Sequence, residues 1–150
     1  KNNMYINDSS KTDLNQSGVE TKIDWKGKDQ NLSIFASSLS SKKIDGSDQL
    51  RRPEKTYGAK YEKNFNTDYF GPLKFRLKYK HYGKHWDTHS SNWSTILMDS
   101  TDITDISLLK KIHGYDLSLN ISNIFDKGYQ RPHGYTQEGR QINFGFRKKY

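Results

Sequence analysis

The sequence predicts an all-β protein, an antiparallel up-and-down meander of about eight strands with one apolar and one polar face. Three observations predict it. Hydrophobicity alternates with a period of two in several separate stretches. The connections between those stretches alternate between short and long. The chain is also poor in hydrophobic residues, at 31%, while 13% of its residues are aromatic.

The elements follow in chain order. Residues 1–6 read as the end of one strand. Residues 19–26, VETKIDWK, set Val19, Thr21, Ile23 and Trp25 against Glu20, Lys22, Asp24 and Lys26. Residues 31–40 and 54–64 alternate more weakly. Residues 73–80, LKFRLKYK, oppose Leu73, Phe75, Leu77 and Tyr79 to Lys74, Arg76, Lys78 and Lys80. Residues 102–110 are a weaker member. Residues 115–122, YDLSLNIS, place Tyr115, Leu117, Leu119 and Ile121 together, opposite Asp116, Ser118 and Asn120. Residues 140–150 close the chain, with Ile142, Phe144 and Phe146 alternating with Asn143, Gly145 and Arg147. A helix would scatter each of these sets around its axis, whereas a strand puts each on one side.

The connections decide between kinds of β-protein. Those at 27–30, 65–72 and 111–114 are short, and those at 41–53, 83–101 and 123–139 are long. A barrel that crosses a membrane has short turns at one end and longer loops at the other. Its strands need about 9–11 residues each, which these approach. Trp25, Tyr61, Tyr115 and Tyr150 fall toward the short-turn end, and Tyr57, Tyr79 and Phe125 toward the opposite rim. Two aromatic girdles around an apolar band are expected of such a wall.

Composition excludes other classes. Leu, Ile, Val and Phe together number 30 of 150 residues, too few for an ordinary packed core. The aromatic content is too high for a disordered chain. Without cysteine there is no disulfide framework and no thiolate metal site. No apolar run approaches the ~18 residues of a membrane-spanning helix. The first residue is Lys and no signal peptide is visible, so the chain reads as a piece of a longer one. A net charge of +8 suits an anionic surface or nucleic acid, but the basic residues are interspersed with 17 acidic ones, as on solvated faces.

The closing stretch carries a resemblance. "NISNIFDKGYQ", then "GYTQEGR", then a final alternating strand, resembles the C-terminal end of TonB-dependent receptors, the energised importers of the bacterial outer membrane. Asn123, Ile124, Phe125, Asp126, Lys127 and Tyr129 stand where that family carries Asn-Leu-Phe-Asp-Lys-x-Tyr. Gly134, Tyr135, Gly139 and Arg140 are most similar to the cobalamin transporters within it. "GVE" at 18–20 and "LRRP" at 50–53 sit where such receptors carry similar residues.

The resemblance implies that residues 1–150 are the C-terminal part of a transmembrane β-barrel of about 22 strands. The plug domain and the earlier strands lie outside the chain. It further implies TonB-energised uptake of a scarce, bulky nutrient such as cobalamin or an iron chelate. The implied partners are the TonB complex, reached through the plug, the outer-membrane assembly machinery, the lipid bilayer and the transported nutrient. Asn143, Gly145 and Tyr150 match the family's C-terminal assembly signal. Lys148 departs from it at an apolar position, and Tyr150 replaces the usual Phe.

Candidate chemistry is sparse. "HYGKHWDTH" spaces His81, His85 and His89 evenly, a metal-binding spacing on a helix but not at a strand end, so these read as polar loop histidines. The row Lys74, Arg76, Lys78 and Lys80 reads as a solvated inner wall with Glu62 as an acidic partner. Trp86, Trp93, Tyr129 and Tyr135, in the long connections, are the candidate ligand contacts, since loops carry function and aromatics supply contact area. No catalytic constellation and no cofactor motif emerges, so no enzyme is expected. The alternative readings are a small self-contained eight-stranded outer-membrane barrel with a structural role, or a basic soluble nucleic-acid-binding β domain. The second is disfavoured because its aromatics would lie on the faces assigned to lipid.

Overall fold

The computed structural model describes residues 14–43, 46–67 and 71–148. They form nine strands: β1 (Leu14–Lys26), β2 (Gln30–Lys43), β3 (Lys55–Thr67), β4 (Gly71–Tyr82), β5 (His85–Thr88), β6 (Thr95–Met98), β7 (Thr101–Ile112), β8 (Tyr115–Ser122) and β9 (Gln141–Lys148). Seven of them make one sheet in the order β1-β2-β3-β4-β7-β8-β9, with every neighbouring pair antiparallel. β5 and β6 form a separate hairpin inside the connection between β4 and β7. No helix among the described residues is long and apolar enough to cross a membrane. The sheet is the meander that the alternating connection lengths predict.

Register shows how the two faces arise. Cross-strand partners lie on the same side of a sheet. Following the pairs from strand to strand gives an unbroken row of Trp25, Leu32, Tyr61, Leu77, Ile106, Ile121 and Ile142. Phe75, Leu108, Leu119 and Phe144 form a neighbouring row on the same face. The opposite face carries Lys60, Glu62, Arg76, Lys78, Asp105, Ser118, Asn120 and Asn143. Leu117, Leu119 and Ile121 therefore share the apolar face, and Asp116, Ser118 and Asn120 the polar one, as the sequence pattern requires.

That apolar face is uncovered. Among the described residues no hydrophobic side chain is buried; Phe144 is 72% exposed and Val19 68%. Soluble proteins rarely leave so wide an apolar surface bare. A single-layer sheet of this kind needs an apolar solvent on one side and a polar one on the other.

The short turns lie at one end of the sheet. His113 and Gly114 both have positive φ, 46° and 79°, the geometry of a two-residue hairpin turn. Gly27 N–H donates to the Gln30 carbonyl at 2.7 Å in another. Tyr115 stacks on Phe146 at 5.1 Å near this end. At the other end of the apolar face Tyr79 Oη donates to Asp102 Oδ1 at 2.6 Å, His81 Nδ1 lies 2.7 Å from the same oxygen, and Tyr57 stacks on His81. The Asp102 charge, costly on an apolar face, thus has partners at the rim.

Three sequence expectations need correction. Tyr61 sits in the middle of β3, not at its short-turn end, because that strand runs from Lys55 to Thr67. β1 and β2 extend beyond the alternating stretches, to Leu14 and Lys43, because backbone ladders persist where polar side chains such as Asn15, Ser17, Ser40 and Lys42 pair. The 83–101 connection is not an irregular loop but holds the β5–β6 hairpin. The expected strand at 1–6 and the placement of Tyr150 lie outside the described residues.

Several large apolar residues break the alternation, among them Leu39, Ile103 and Leu109, which partner Gly18, Lys80 and Lys74 on the polar face. Phe35 also belongs to the polar face, and its register partner is Gly58. A Cβ at Gly58 would come within 2.7 Å of the Phe35 ring. The ring fills the space that the glycine leaves, so the glycine permits an aromatic on the polar side.

Candidate functional site

The three long connections, 43–55, 82–101 and 122–141, leave the same end of the sheet and are tied together there. Their junction is Asp87 on β5. It is 0% exposed and is the one fully buried side chain among the described residues. Its Oδ1 accepts from Arg51 Nε at 2.7 Å and from the Thr88 backbone N–H at 2.7 Å. Its Oδ2 accepts from the His133 backbone N–H at 2.8 Å. Arg51, from the first connection, also donates its backbone N–H to the Trp86 carbonyl at 2.6 Å. One carboxylate on the hairpin thus holds both other connections. Burial works against the Asp87 charge, but Arg51 and the His133 and Thr88 amides outweigh it and hold the carboxyl below the usual carboxylate range.

The contact between the hairpin and the last connection continues around this point. The His89 and His133 rings lie 4.4 Å apart. Ser90 N–H donates to His133 Nδ1 at 3.1 Å. Gly134 has φ 84°, and a Cβ there would come 2.5 Å from Ser90 Cβ, so only glycine lets the two segments close. The Arg131 guanidinium lies over the Tyr82 ring at 4.2 Å.

The closing motif builds the last connection. Asn123 is nearly buried, with φ 51°, a left-handed conformation that Asn tolerates. Its side-chain amide donates to the Lys127 carbonyl and accepts from the Lys127 N–H, both at 3.0 Å. Its own N–H donates to Asp105 Oδ1 at 3.0 Å. Asp126 then accepts the Arg140 N–H at 2.7 Å, joining the two ends of the loop. A Cβ on Gly139 would come 2.5 Å from that Asp126 oxygen. Asn123, Asp126, Gly134, Gly139 and the Arg140 backbone are therefore shaping residues, while Phe125 and Tyr135 are exposed. Asn143 faces Asn120 on the polar side, and Gly145 leaves room for Ser118 beside it.

The four candidate ligand aromatics do not meet in one place. Trp86 lines a cavity of about 490 Å³ between the first connection and the hairpin. Trp93, with φ 60°, is 82% exposed in the turn of that hairpin. Tyr129 lines a separate crevice with Asp105 and Gln137; burial, and then the neighbouring Tyr82, push its hydroxyl above the usual range. Tyr135 stands at the surface of the same connection. His81, His85 and His89 also separate: His81 joins Asp102, His85 is buried beside the Gly83 carbonyl, and His89 packs on His133. Among the described residues no group of three or more His, Asp or Glu is arranged to hold a metal ion.

Sequence reasoning missed Asp87 and His133, and it gave Arg51 no role beyond its place in the LRRP stretch. The β5 stretch alternates buried His85 and Asp87 with half-buried Trp86 and Thr88, a period that only the folded hairpin reveals. Nothing local points to His133 or to the bond between Arg51 and Asp87.

On the polar face Glu62 is the acidic centre. It accepts from Arg76 Nε at 2.6 Å and lies 3.1 Å from Lys60 and 3.6 Å from Lys74. Lys78 stands between Lys60 and Asp105 in register. The wall is net basic.

No protein-family model and no curated protein matches this chain. Solved structures match its fold. The ferric yersiniabactin uptake receptor FyuA from Yersinia pestis does so with a TM-score of 0.77 at 18% identity, over 91% of this chain and 24% of that one. The ferripyoverdine receptor of the outer membrane of Pseudomonas aeruginosa gives 0.78 at 16% identity, over 90% of this chain and 19% of that one. An FrpB iron transporter from Neisseria meningitidis gives 0.69 at 14% identity, over 89% and 23%. The chain spans between about a fifth and a quarter of the length of these receptors. At such identities the likeness is one of fold, and the fold is similar to the barrel part of TonB-dependent outer-membrane receptors.

Proposed function

We propose that this chain is the C-terminal portion of the barrel wall of a TonB-dependent receptor in a bacterial outer membrane. The receptor binds a scarce, bulky nutrient outside and imports it with inner-membrane energy, performing no chemistry on it. One observation carries this reading: a single antiparallel layer with a bare apolar face, a basic polar face, and all three long connections at one rim. In the outer membrane the apolar face meets lipid and the polar face lines the lumen. An iron chelate is the favoured nutrient, because the receptors of similar fold are named for ferric yersiniabactin and ferripyoverdine. Cobalamin rests on the resemblance of Gly134, Tyr135, Gly139 and Arg140. The TonB complex, through a plug domain, and the assembly machinery are the implied partners. A small closed barrel is disfavoured, since β1 and β9 are not paired with each other in this sheet.

Uptake of labelled ferric chelates and of cobalamin, compared in cells with and without TonB, tests the proposal. Loss of uptake of one of them without TonB is expected. Uptake that persists unchanged in cells lacking TonB overturns it.

A further inference from the structure

We propose that the cavity between the first long connection and the β5–β6 hairpin binds a phosphorylated sugar. The inference stands on the cavity wall, and only its glycolipid source rests on the proposed place of this chain in the outer membrane. The cavity holds about 490 Å³, room for a ligand of several rings' breadth rather than a bare ion. Arg52, Lys55 and Lys84 line it. Among the described residues the Arg52 guanidinium and the Lys55 ammonium have no hydrogen-bond or ion-pair partner. Lys84 has only a 3.7 Å contact with Asp99, between two exposed side chains, a pairing worth little in water. Of the two carboxylates on the wall, Asp48 is already engaged by Lys42, which leaves Glu54 as the opposing charge.

The same cavity also has an apolar lining. Trp86 offers an indole there, and Leu97, its register partner, extends the apolar surface. A bare phosphate would leave that surface unused. A sugar ring has an apolar face for the indole, hydroxyls for Ser38 and Ser40, and, when phosphorylated, a dianion for the guanidinium and the ammonium. That chemistry has two sources, a soluble sugar phosphate or the phosphorylated headgroup of a glycolipid. Lys55 pairs with Ser38 on the same side as Tyr57 and Ile34, the apolar face, so a headgroup at the rim can reach it.

The protein in detergent micelles is titrated with glucose 6-phosphate, glucose and inorganic phosphate, followed by tryptophan fluorescence and calorimetry. Flotation is run in parallel with phosphatidylcholine vesicles with and without bisphosphorylated lipid A. Saturable binding of glucose 6-phosphate is expected, with glucose and inorganic phosphate each weaker by about tenfold or more. Arg52→Ala with Lys55→Ala should lower affinity by about tenfold, while Arg52→Lys with Lys55→Arg, which keeps the charge, should retain most of it. Heat-modifiability on gels establishes that both variants are folded. Lipid A binding that competes with glucose 6-phosphate assigns the glycolipid source, and glucose 6-phosphate binding alone assigns the soluble one. Absence of saturable binding by both probes, or wild-type affinity in the alanine variant, overturns the proposal.

Discussion

Arg51 Nε lies 2.7 Å from Asp87 Oδ1, a bond across 36 positions that joins the first long connection to the hairpin of the second. Arg51 is largely exposed while Asp87 is fully buried, so the two partners differ in what their loss would cost. The exposed guanidinium can return to water. The carboxylate cannot, and its oxygens also hold the Thr88 and His133 amides.

Replacing Asp87 with Ala should therefore loosen the rim more than replacing Arg51 with Ala. The Asp87 change strips the acceptor from two backbone amides, at about 1–3 kcal/mol of local stability. Amide hydrogen exchange at Thr88 and His133 reads this directly. Equal protection in Asp87→Ala and wild type would show that the junction contributes nothing.

The junction has a pH signature. The folded-state pKa of Asp87 lies below its unfolded value. Its contribution is present above the unfolded value, near pH 4, and is lost as pH falls through the lower folded value. Exchange protection at His133 should be flat from neutral pH to about pH 5 and decline only in stronger acid. A decline already complete at pH 5 would contradict the assignment.

Asn123 should tolerate substitution in a defined order. Ala loses both side-chain hydrogen bonds to Lys127 and is strained at φ 51°. Gly loses the bonds but accepts the backbone angle, and Asp keeps the acceptor. Thermal unfolding in detergent should rank Ala as most destabilised, by about 1–3 kcal/mol, with Gly and Asp milder. If Ala equals wild type, the closing motif is not a shaping element.

Facing can be tested by charge placement. Leu119→Arg puts a cation among Leu108 and Phe144 on the apolar face, whereas Ser118→Arg puts one on the polar face beside Gly145. In bilayers the first should cost about 2–4 kcal/mol if it lies near the midplane, and the second much less. Urea unfolding from lipid vesicles measures both, and equal costs would count against a lipid-facing side.

How much could be read without coordinates depends on distance along the chain. The period of two in 19–26, 73–80 and 115–122 is a property of adjacent residues, and it carries both the strands and their facing. Connection lengths are equally local, and they select a meander because consecutive strands joined by short turns must be antiparallel neighbours. Both features survive in a sequence read alone. The closing motif was visible as a pattern too, although its physical meaning, a loop knotted by Asn123 and Asp126, needed the hydrogen bonds. The rim is different. Asp87 meets His133 across 46 positions and Arg51 across 36, and no local spacing encodes either contact. A buried charge is stable only where donors converge on it, and convergence belongs to the folded rim. The strands and their faces are thus determined by neighbouring residues, whereas the packing of the loops above them is decided in three dimensions, by one carboxylate that water cannot reach.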